Sequence, residues 1–271
     1  MAPFVSAEVG LLLSEVNHQA TVETLSKANQ LLDLARGCKT KKLKIHKIPI
    51  KDLMLCAWCD AAAQNRPDGS STQGIVIGAS TKNLLKGSCE VVSLLTWHAS
   101  KISRVCRSPG GSEAVAAVNA EDLLFFARFQ LAEMLGKSIN IRRVNEAVNC
   151  IPSSLVTDSR NVYDKLSTEV LCPKGAEKRV DLDLMSVKDA QLRNGVVIRW
   201  VNSEAQLANS LTKTKEYLQQ LMLYFEMNQC WKIVEDETMS SARKRKQKGQ
   251  PPLENGGGQQ ITQNHIHDSY T

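Results

Sequence analysis

The stretch of sequence that decides the fold runs Leu53-Met54-Leu55-Cys56-Ala57-Trp58-Cys59-Asp60. A nearly continuous apolar run of this length predicts a buried β-strand. Cys56 and Cys59 are three positions apart, so on a strand they point to opposite faces. We therefore expect two buried core thiols rather than a zinc site, because no second Cys/His pair follows at the spacing of a zinc finger. The run ends on a carboxylate, Asp60.

Two further strands are predicted immediately downstream of this run, over residues 73–79 and 91–98. The first follows Arg66-Pro67-Asp68-Gly69. This sequence favours a turn, since proline presets φ and glycine supplies a positive φ. Three consecutive strands joined by turns indicate an antiparallel meander. Pro109 and two glycines then interrupt the chain, and a helix is predicted from about Ser112 to Leu135.

The second half of the chain alternates strands and helices. The predicted elements are a strand ending at Asp158, a helix to about Leu166, a helix over 177–192, a strand over 196–201, and a last helix over about 214–228. Ser203 with Gln206 predicts a capping box for a helix after residue 203. The order βββαβααβα predicts an α/β fold: a mixed sheet, three antiparallel strands followed by parallel strand–helix units, with helices on both faces.

The two ends of the chain differ from this middle part. Residues 20–37 predict an amphipathic helix that ends at Gly37, and the alternation over Leu43–Ile48 predicts a strand. After about residue 238 the composition changes to charge, Gly, Gln, Asn and Pro, which predicts disorder. We therefore expect three segments: 1–50 mainly helical, 51–235 the α/β domain, and 236–271 a disordered basic and polar tail.

Composition narrows the class of protein. Hydrophobic residues make up 42% and charged residues 23% of the chain, which is typical of a globular protein with a core. The formal net charge is +6, with a basic run over residues 243–248, and such a tail favours polyanions. No stretch reaches the roughly 20 apolar residues of a membrane span, and Val9–Leu13 is too short for a secretory leader. We expect an intracellular protein, cytoplasmic or nuclear, with eight reduced cysteines and no membrane partner.

Three acids lie where predicted strands end or helices begin: Asp60, Glu113 and Asp158. Each has an ordinary structural explanation as a strand-end residue, a favourable charge at a helix start or a helix cap. Their joint placement also fits a metal-dependent phosphodiesterase. Cleavage of a nucleic-acid backbone requires an activated water and a stabilised leaving oxygen, and two Mg²⁺ ions about 3.5–4 Å apart can supply both. Mg²⁺ takes hard oxygen ligands such as carboxylates.

Three sequence segments carry a resemblance to a known family. They are Ser108-Pro109-Gly110-Gly111-Ser112-Glu113-Ala114-Val115-Ala116, Val156-Thr157-Asp158-Ser159-Arg160-Asn161-Val162, and residues 201–213, which end in Leu211-Thr212-Lys213. Together with Asp60 they resemble, in order, the ribonuclease H region of copia-type LTR retrotransposon Pol polyproteins. Residues 20–37 resemble the segment that precedes this region, and the resemblance covers about residues 20–230.

The resemblance implies a ribonuclease H-like fold and a C-terminal fragment of such a polyprotein, with residues 1–50 as a remnant of the reverse-transcriptase connection. It implies Mg²⁺- or Mn²⁺-dependent hydrolysis of the RNA strand of an RNA–DNA hybrid, with Asp60, Glu113, Asp158 and position 209 as the catalytic and metal-binding residues. The expected partners are hybrid or duplex nucleic acid and an upstream reverse-transcriptase domain.

The chain departs from the family where the fourth acid is expected, because this position is Asn209. The family's first helix-start glutamate is replaced by Gly111, and the aromatic after its catalytic glutamate by Ala114. Two hypotheses therefore remain open. The chain is either an active or impaired hybrid ribonuclease, or a catalytically decayed module that binds nucleic acid without cutting it.

Overall fold

The central strand of the molecule is β1, Leu53–Ala62, and both of its faces are buried. Its side chains alternate between two cores. Leu55, Ala57 and Cys59 face one core, whereas Met54, Cys56 and Trp58 face the other. The structure, a computed structural model, describes residues 3–137, 139–173, 178–213 and 218–257. The expectation that Cys56 and Cys59 are buried core thiols on opposite faces is confirmed.

Four strands flank β1 in one mixed sheet, in the order β4-β2-β1-β5-β6. On one side, the predicted turn at Gly69, whose φ is +73°, joins β1 to the antiparallel strand β2 (Thr72–Thr81). Strand β4 (Ser93–Lys101) runs antiparallel to β2. On the other side, β5 (Ser153–Thr157) and β6 (Val196–Trp200) run parallel to their neighbours. The predicted five-stranded ribonuclease H-like sheet is therefore confirmed. Two short strands, β3 (Glu90–Val91) and β7 (Cys230–Trp231), pair separately.

Helices cover both faces of this sheet, as predicted. The first face carries α3 (Pro109–Met134), α4 (Val144–Val148), α5 (Arg160–Ser167) and α6 (Lys178–Asn194). Helix α3 lies against β1 and β2, and the side it turns to the sheet is rich in alanine, which lets the helix approach closely. The second face carries the 3-10 helix Leu207–Leu211 and α7 (Leu218–Glu226). Within the described residues, no helix is long and apolar enough to cross a bilayer.

The N-terminal residues form a 3-10 turn, Pro3–Val5, and a helical pair, α1 (Ser6–Gln19) and α2 (Val22–Gly37). Helix α2 matches the helix predicted over 20–37 and begins with a capping box between Thr21 and Thr24. Helix α1, which the sequence analysis did not predict, contacts β4 at the edge of the sheet. Arg66 fastens α1 to the sheet, since its guanidinium donates to the Gly10 carbonyl at 3.3 Å and to Thr72 Oγ1 at 2.9 Å.

The prediction of a strand over Leu43–Ile48 is wrong, because these residues form neither a strand nor a helix. Side chains satisfy their backbone groups in place of a partner strand. The Lys44 N–H donates to Gln229 Oε1 at 3.0 Å, and the His46 N–H donates to Ser93 Oγ at 2.9 Å. Within the described part of the chain, residues 43–48 have no neighbouring strand to pair with. Their backbone groups form hydrogen bonds with side chains from other parts of the chain instead.

The capping box predicted at Ser203 and Gln206 is also wrong. Asn202 caps the 3-10 helix Ser203–Ala205, and a second 3-10 helix, Leu207–Leu211, follows in place of an α-helix. The buried Gln206 side chain explains the difference. Its Nε2 donates to the Cys59 carbonyl of β1 at 3.0 Å, which holds this segment against the sheet.

Within residues 236–257, the described part of the C-terminal segment, Ala242–Gln247 form a helix that was not predicted, α8. Arg245 of this helix is buried and pairs with Glu204 at 2.5 Å, so one cation of the basic run is held by the protein itself. Residues 258–271 of the predicted tail, like residues 214–217 of the predicted last helix, lie outside the described residues.

The close approach of Leu207–Leu211 to β2 depends on a glycine. A Cβ at Gly74 would lie 2.7 Å from the Ala208 carbonyl oxygen and 2.8 Å from both Leu211 Cβ and Thr212 Cγ2. We expect Gly74→Ala to lower the free energy of unfolding by about 1–3 kcal/mol, because two backbones are pushed apart. Urea unfolding measures this loss.

Gly37→Ala is the matched control, since a Cβ there meets nothing within 4 Å. It should leave the free energy of unfolding unchanged or raise it slightly, as expected at the end of a helix. Equal stability of Gly74→Ala and the wild type would contradict the packing described above.

Candidate metal centre

Asp60, Glu113 and Asp158 converge at one end of the sheet. Each offers an oxygen, and these three oxygens lie within 4.8 Å of one another. The strand register brings two of them together: Cys59 of β1 pairs with Thr157 of β5, so the residues that follow, Asp60 and Asp158, emerge side by side. Glu113 reaches the same point from the second turn of α3. These three acids, far apart in the sequence, therefore form one cluster.

The cluster holds more negative charge than its surroundings offset. Asp60 is 1% exposed, and Glu113 and Asp158 are half-buried. Burial, followed by the charge of Asp60, raises the pKa of Asp158 to about 6, although Lys213 opposes the shift. Burial, followed by the charges of Asp60 and Asp158, raises the pKa of Glu113 well above its usual range. Carboxyl groups that share a buried site resist ionisation together unless a cation joins them.

The residues present fit a hard divalent cation. Among the described residues, Glu113 Oε2 is buried and has no hydrogen-bond partner. An unpartnered buried oxygen is costly, and an ion at the cluster would supply the missing partner. The donors are all carboxylate oxygens, the ligands that Mg²⁺ and Mn²⁺ accept. Asp60, Glu113 and Asp158 are therefore the residues that could hold such an ion.

Asn209, the fourth expected ligand, reaches the cluster only through another side chain. It is fully buried, and its Nδ2 donates to the Ser203 carbonyl at 2.7 Å. Its Oδ1 accepts a hydrogen bond from Lys213 Nζ at 2.7 Å. The same ammonium lies 3.3 Å from Asp60 Oδ2. The structure thus places a lysine between Asn209 and the acid that it was expected to join.

Sequence reasoning missed two residues of this centre, Thr212 and Lys213. The Thr212 hydroxyl donates to Asp60 Oδ2, and Lys213 pairs with the same carboxylate. Both belong to the Leu-Thr-Lys triplet that carried part of the resemblance, but no role was assigned to them. The four-residue separation of Asn209 and Lys213 was the available signal, because residues so spaced become neighbours on a helical turn.

A basic cavity of about 400 Å³ lies at the start of α3. Its lining includes Ser108, which caps α3, and Gly111 of α3. Four cationic residues also line it: Arg104, Arg107, Lys178 and Arg179. Arg104 is paired with Asp183, another lining residue. Because Gly111 is two residues before Glu113, the cavity and the acidic cluster share one helix. A phosphate group is the chemistry that this lining suits.

No protein-family model matches this chain, and no curated protein matches it significantly. Several solved structures resemble it at low identity. LC11-RNase H1 in complex with RNA/DNA hybrid is 14% identical, with a TM-score of 0.38, over 62% of this chain and 99% of that one. RNase H1 from the archaeon Halobacterium salinarum is 15% identical, with a TM-score of 0.31, over 55% and 83%.

The foamy viral protease-reverse transcriptase in complex with dsDNA is 15% identical to this chain, with a TM-score of 0.34. The likeness extends over 61% of this chain and 96% of that one. The assignment of the ribonuclease H-like fold rests on the strand order and strand directions of the sheet itself.

The raised pKa of Asp158 predicts a pH-dependent stability in the absence of divalent ions. Its folded-state pKa, about 6, exceeds the unfolded value, about 3.9. The folded protein therefore binds the proton more tightly, and stability should fall as the pH rises through this window. Thermal unfolding measured from about pH 4 to pH 7 should show a smaller fall for Asp158→Asn than for the wild type, and Mg²⁺ should stabilise the wild type at the upper end.

Asp164→Asn provides the matched control, since Asp164 is an exposed partner of Arg160 outside the cluster. Burial also raises the pKa of Glu121 to about 7. Its effect on the pH dependence of stability is the same in the wild type, Asp158→Asn and Asp164→Asn. Identical pH profiles for Asp158→Asn and the wild type would show that the cluster is not electrostatically strained.

Proposed function

We propose that this chain is the ribonuclease H domain of a copia-type LTR retrotransposon Pol polyprotein, and that it hydrolyses the RNA strand of RNA–DNA hybrids with Mg²⁺ or Mn²⁺. The observation that carries the proposal is the convergence of Asp60, Glu113 and Asp158 within 4.8 Å at one end of a ribonuclease H-like sheet. A three-carboxylate cluster suits metal-assisted phosphodiester hydrolysis and has no evident structural purpose, since its members repel one another.

In this proposal the three carboxylates hold the divalent ion, which when bound lowers the pKa of a water and offsets charge on the leaving oxygen. Asp60 is fixed in place by the Thr212 hydroxyl and by the Lys213 ammonium, so its carboxylate does not reorient. Glu113 keeps one buried oxygen free of hydrogen bonds. The arrangement holds acidic oxygens ready for an ion with little reorganisation.

The basic cavity supplies a place for the nucleic-acid backbone. Arg107 and Arg179 line it together with Lys178, and it borders the first turn of α3, the helix that carries Glu113. Phosphate contacts of this kind set the register of a nucleic acid without reading its sequence. We infer that the substrate backbone is anchored in this cavity while a neighbouring phosphodiester lies at the acids.

A second function, binding of nucleic acid without cleavage, is favoured by one observation. Position 209 is a neutral amide, and its oxygen contacts Lys213 instead of facing the cluster directly. In this alternative the basic cavity binds the backbone and the acids remain as a remnant. The division into residues 1–50, 51–235 and 236–271, the upstream reverse-transcriptase partner and an intracellular location belong to the proposal as well.

Asp60→Asn tests the enzymatic proposal. We expect it to lower the Mg²⁺-dependent cleavage of an RNA–DNA hybrid by at least about 100-fold, because an amide binds a hard cation poorly. Circular dichroism should show that the fold is retained. Asp189→Asn is the control, since Asp189 is an exposed partner of Arg193 on α6, and its cleavage rate should equal that of the wild type.

Two results would contradict this assignment. Full cleavage activity of Asp60→Asn would show that the acidic cluster takes no part in the reaction. A folded wild-type chain that binds the hybrid tightly, but does not cut it with Mg²⁺ or Mn²⁺, would favour the binding module.

Removal of a cavity cation tests the second part of the proposal. Arg107→Ala should weaken hybrid binding and lower the slope of log K against log salt by roughly one, the value for one lost phosphate contact. Arg142→Ala is the control, because Arg142 is exposed in the 3-10 helix Ile141–Arg143, outside the cavity. Fluorescence anisotropy over a salt series measures both slopes. Equal slopes for Arg107→Ala and the wild type would exclude a phosphate contact at Arg107.

A further inference from the structure

We propose that the Lys213 ammonium takes the place of a second divalent cation, so that the acidic centre of this chain binds one metal ion instead of two. The inference rests on the proposed function for the identity of the centre, and it adds the number of ions the centre holds. It assigns Lys213 and Asn209 together as positioning residues on one side of Asp60.

The contacts of Lys213 are those of a bound cation. Its Nζ lies 3.4 Å from Asp60 Oδ1 and 3.3 Å from Asp60 Oδ2, so it straddles the carboxylate. The third contact is to Asn209 Oδ1 at 2.7 Å. A lysine ammonium is a compact point charge with three donors, which suits three oxygen acceptors around one position. The lysine side chain is 30% exposed, whereas Asp60 is 1% exposed, so the charge is carried from the surface to a buried acid.

The local backbone builds this position. The Lys213 N–H donates to the Asn209 carbonyl at 3.2 Å, and the Thr212 hydroxyl contacts the same carbonyl at 3.2 Å and Asp60 as well. This turn directs consecutive side chains, Thr212 and Lys213, at one carboxylate. The clash that a Cβ at Gly74 would cause with Ala208, Leu211 and Thr212 shows how tightly the turn lies on β2.

Asn209 is matched to the lysine. Its Nδ2 donates to the Ser203 carbonyl at 2.7 Å, which leaves Oδ1 facing the ammonium. A carboxylate in this orientation would place an oxygen against the Ser203 carbonyl, and the two acceptors would repel each other. An amide satisfies both neighbours at once. The asparagine that weakened the case for a fourth metal ligand is therefore the suitable partner for an ammonium.

Charge balance points to the same count of ions. Three ionised carboxylates and one ammonium leave two negative charges, which one divalent ion neutralises. A second divalent ion would make the centre positive and would lie beside the ammonium, where like charges repel strongly because the site is largely shielded from water. The ion is expected among Asp60, Glu113 and Asp158, with Lys213 still in contact with Asp60.

Manganese titration of the full-length chain without nucleic acid tests the inference, with calorimetry for the stoichiometry and paramagnetic resonance for free Mn²⁺. The wild type should bind one Mn²⁺ per chain. Lys213→Met should bind the first ion more tightly, by about tenfold or more, and should accept a second ion, because a positive charge beside Asp60 is gone. Lys213→Arg keeps the charge and should keep one ion. Lys232→Met is the control, since Lys232 pairs with Glu254 away from the centre, and it should match the wild type.

The inference would be overturned by a wild type that binds two ions, by a wild type that binds none, or by a Lys213→Met variant with unchanged affinity and ion count. A lowered melting temperature of Lys213→Met with an unchanged ion count would leave Lys213 a purely structural role and would also overturn it. The wild-type count needs no variant, so a poorly folding mutant does not remove the test. Hybrid cleavage is measured separately: one bound ion without cleavage refutes the proposed function only, and cleavage with two bound ions refutes this inference only.

Discussion

The burial of β1 on both faces is the constraint on which the rest of the structure depends. A strand with apolar side chains on both sides must be covered by two layers. Helix α3 and its neighbouring helices form one layer, and the 3-10 helix Leu207–Leu211 with α7 forms the other. Asp60 lies near the end of this strand, so the same burial that stabilises the sheet draws a carboxylate into a largely dry environment. An isolated buried charge is costly. The charge of Asp60 is offset by the Thr212 hydroxyl and the Lys213 ammonium, and the acidic cluster around it suits a metal ion.

The negative charge of Asp60 is offset by some of its neighbours and increased by others. Thr212 and Lys213 approach Asp60 from the turn that follows the 3-10 helix Leu207–Leu211. Glu113 of α3 and Asp158, which follows β5, add negative charge. The pKa values of Glu113 and Asp158 are both raised, since burial and mutual repulsion favour their neutral forms. One side of the central carboxylate is thus satisfied by the protein itself. The other side is left with acidic oxygens that need a cation.

The surroundings of the neutral residue Asn209 account for an amide at this position. Considered alone, Asn209 is a missing metal ligand and suggests decay of the site. In the structure its amide joins the Ser203 carbonyl to the Lys213 ammonium, and both of its polar atoms are used. Asn209 and Lys213 therefore act as one hydrogen-bonded pair beside Asp60.

The sequence by itself determined the order of the main strands and helices, the two-sided burial of Cys56 and Cys59, and the placement of three acids at the ends of their elements. These features follow from local patterns: apolar runs, turn residues and helix breakers. Tertiary structure alone decided that residues 43–48 form no strand, that residues 203–211 form 3-10 turns, and that Lys213 lies at Asp60. Each depends on side-chain contacts between residues far apart in the chain, such as Gln206 with Cys59 across 147 positions and Thr212 with Asp60 across 152. Local propensity carries no information about such contacts, because it reflects only the preferences of neighbours along the backbone.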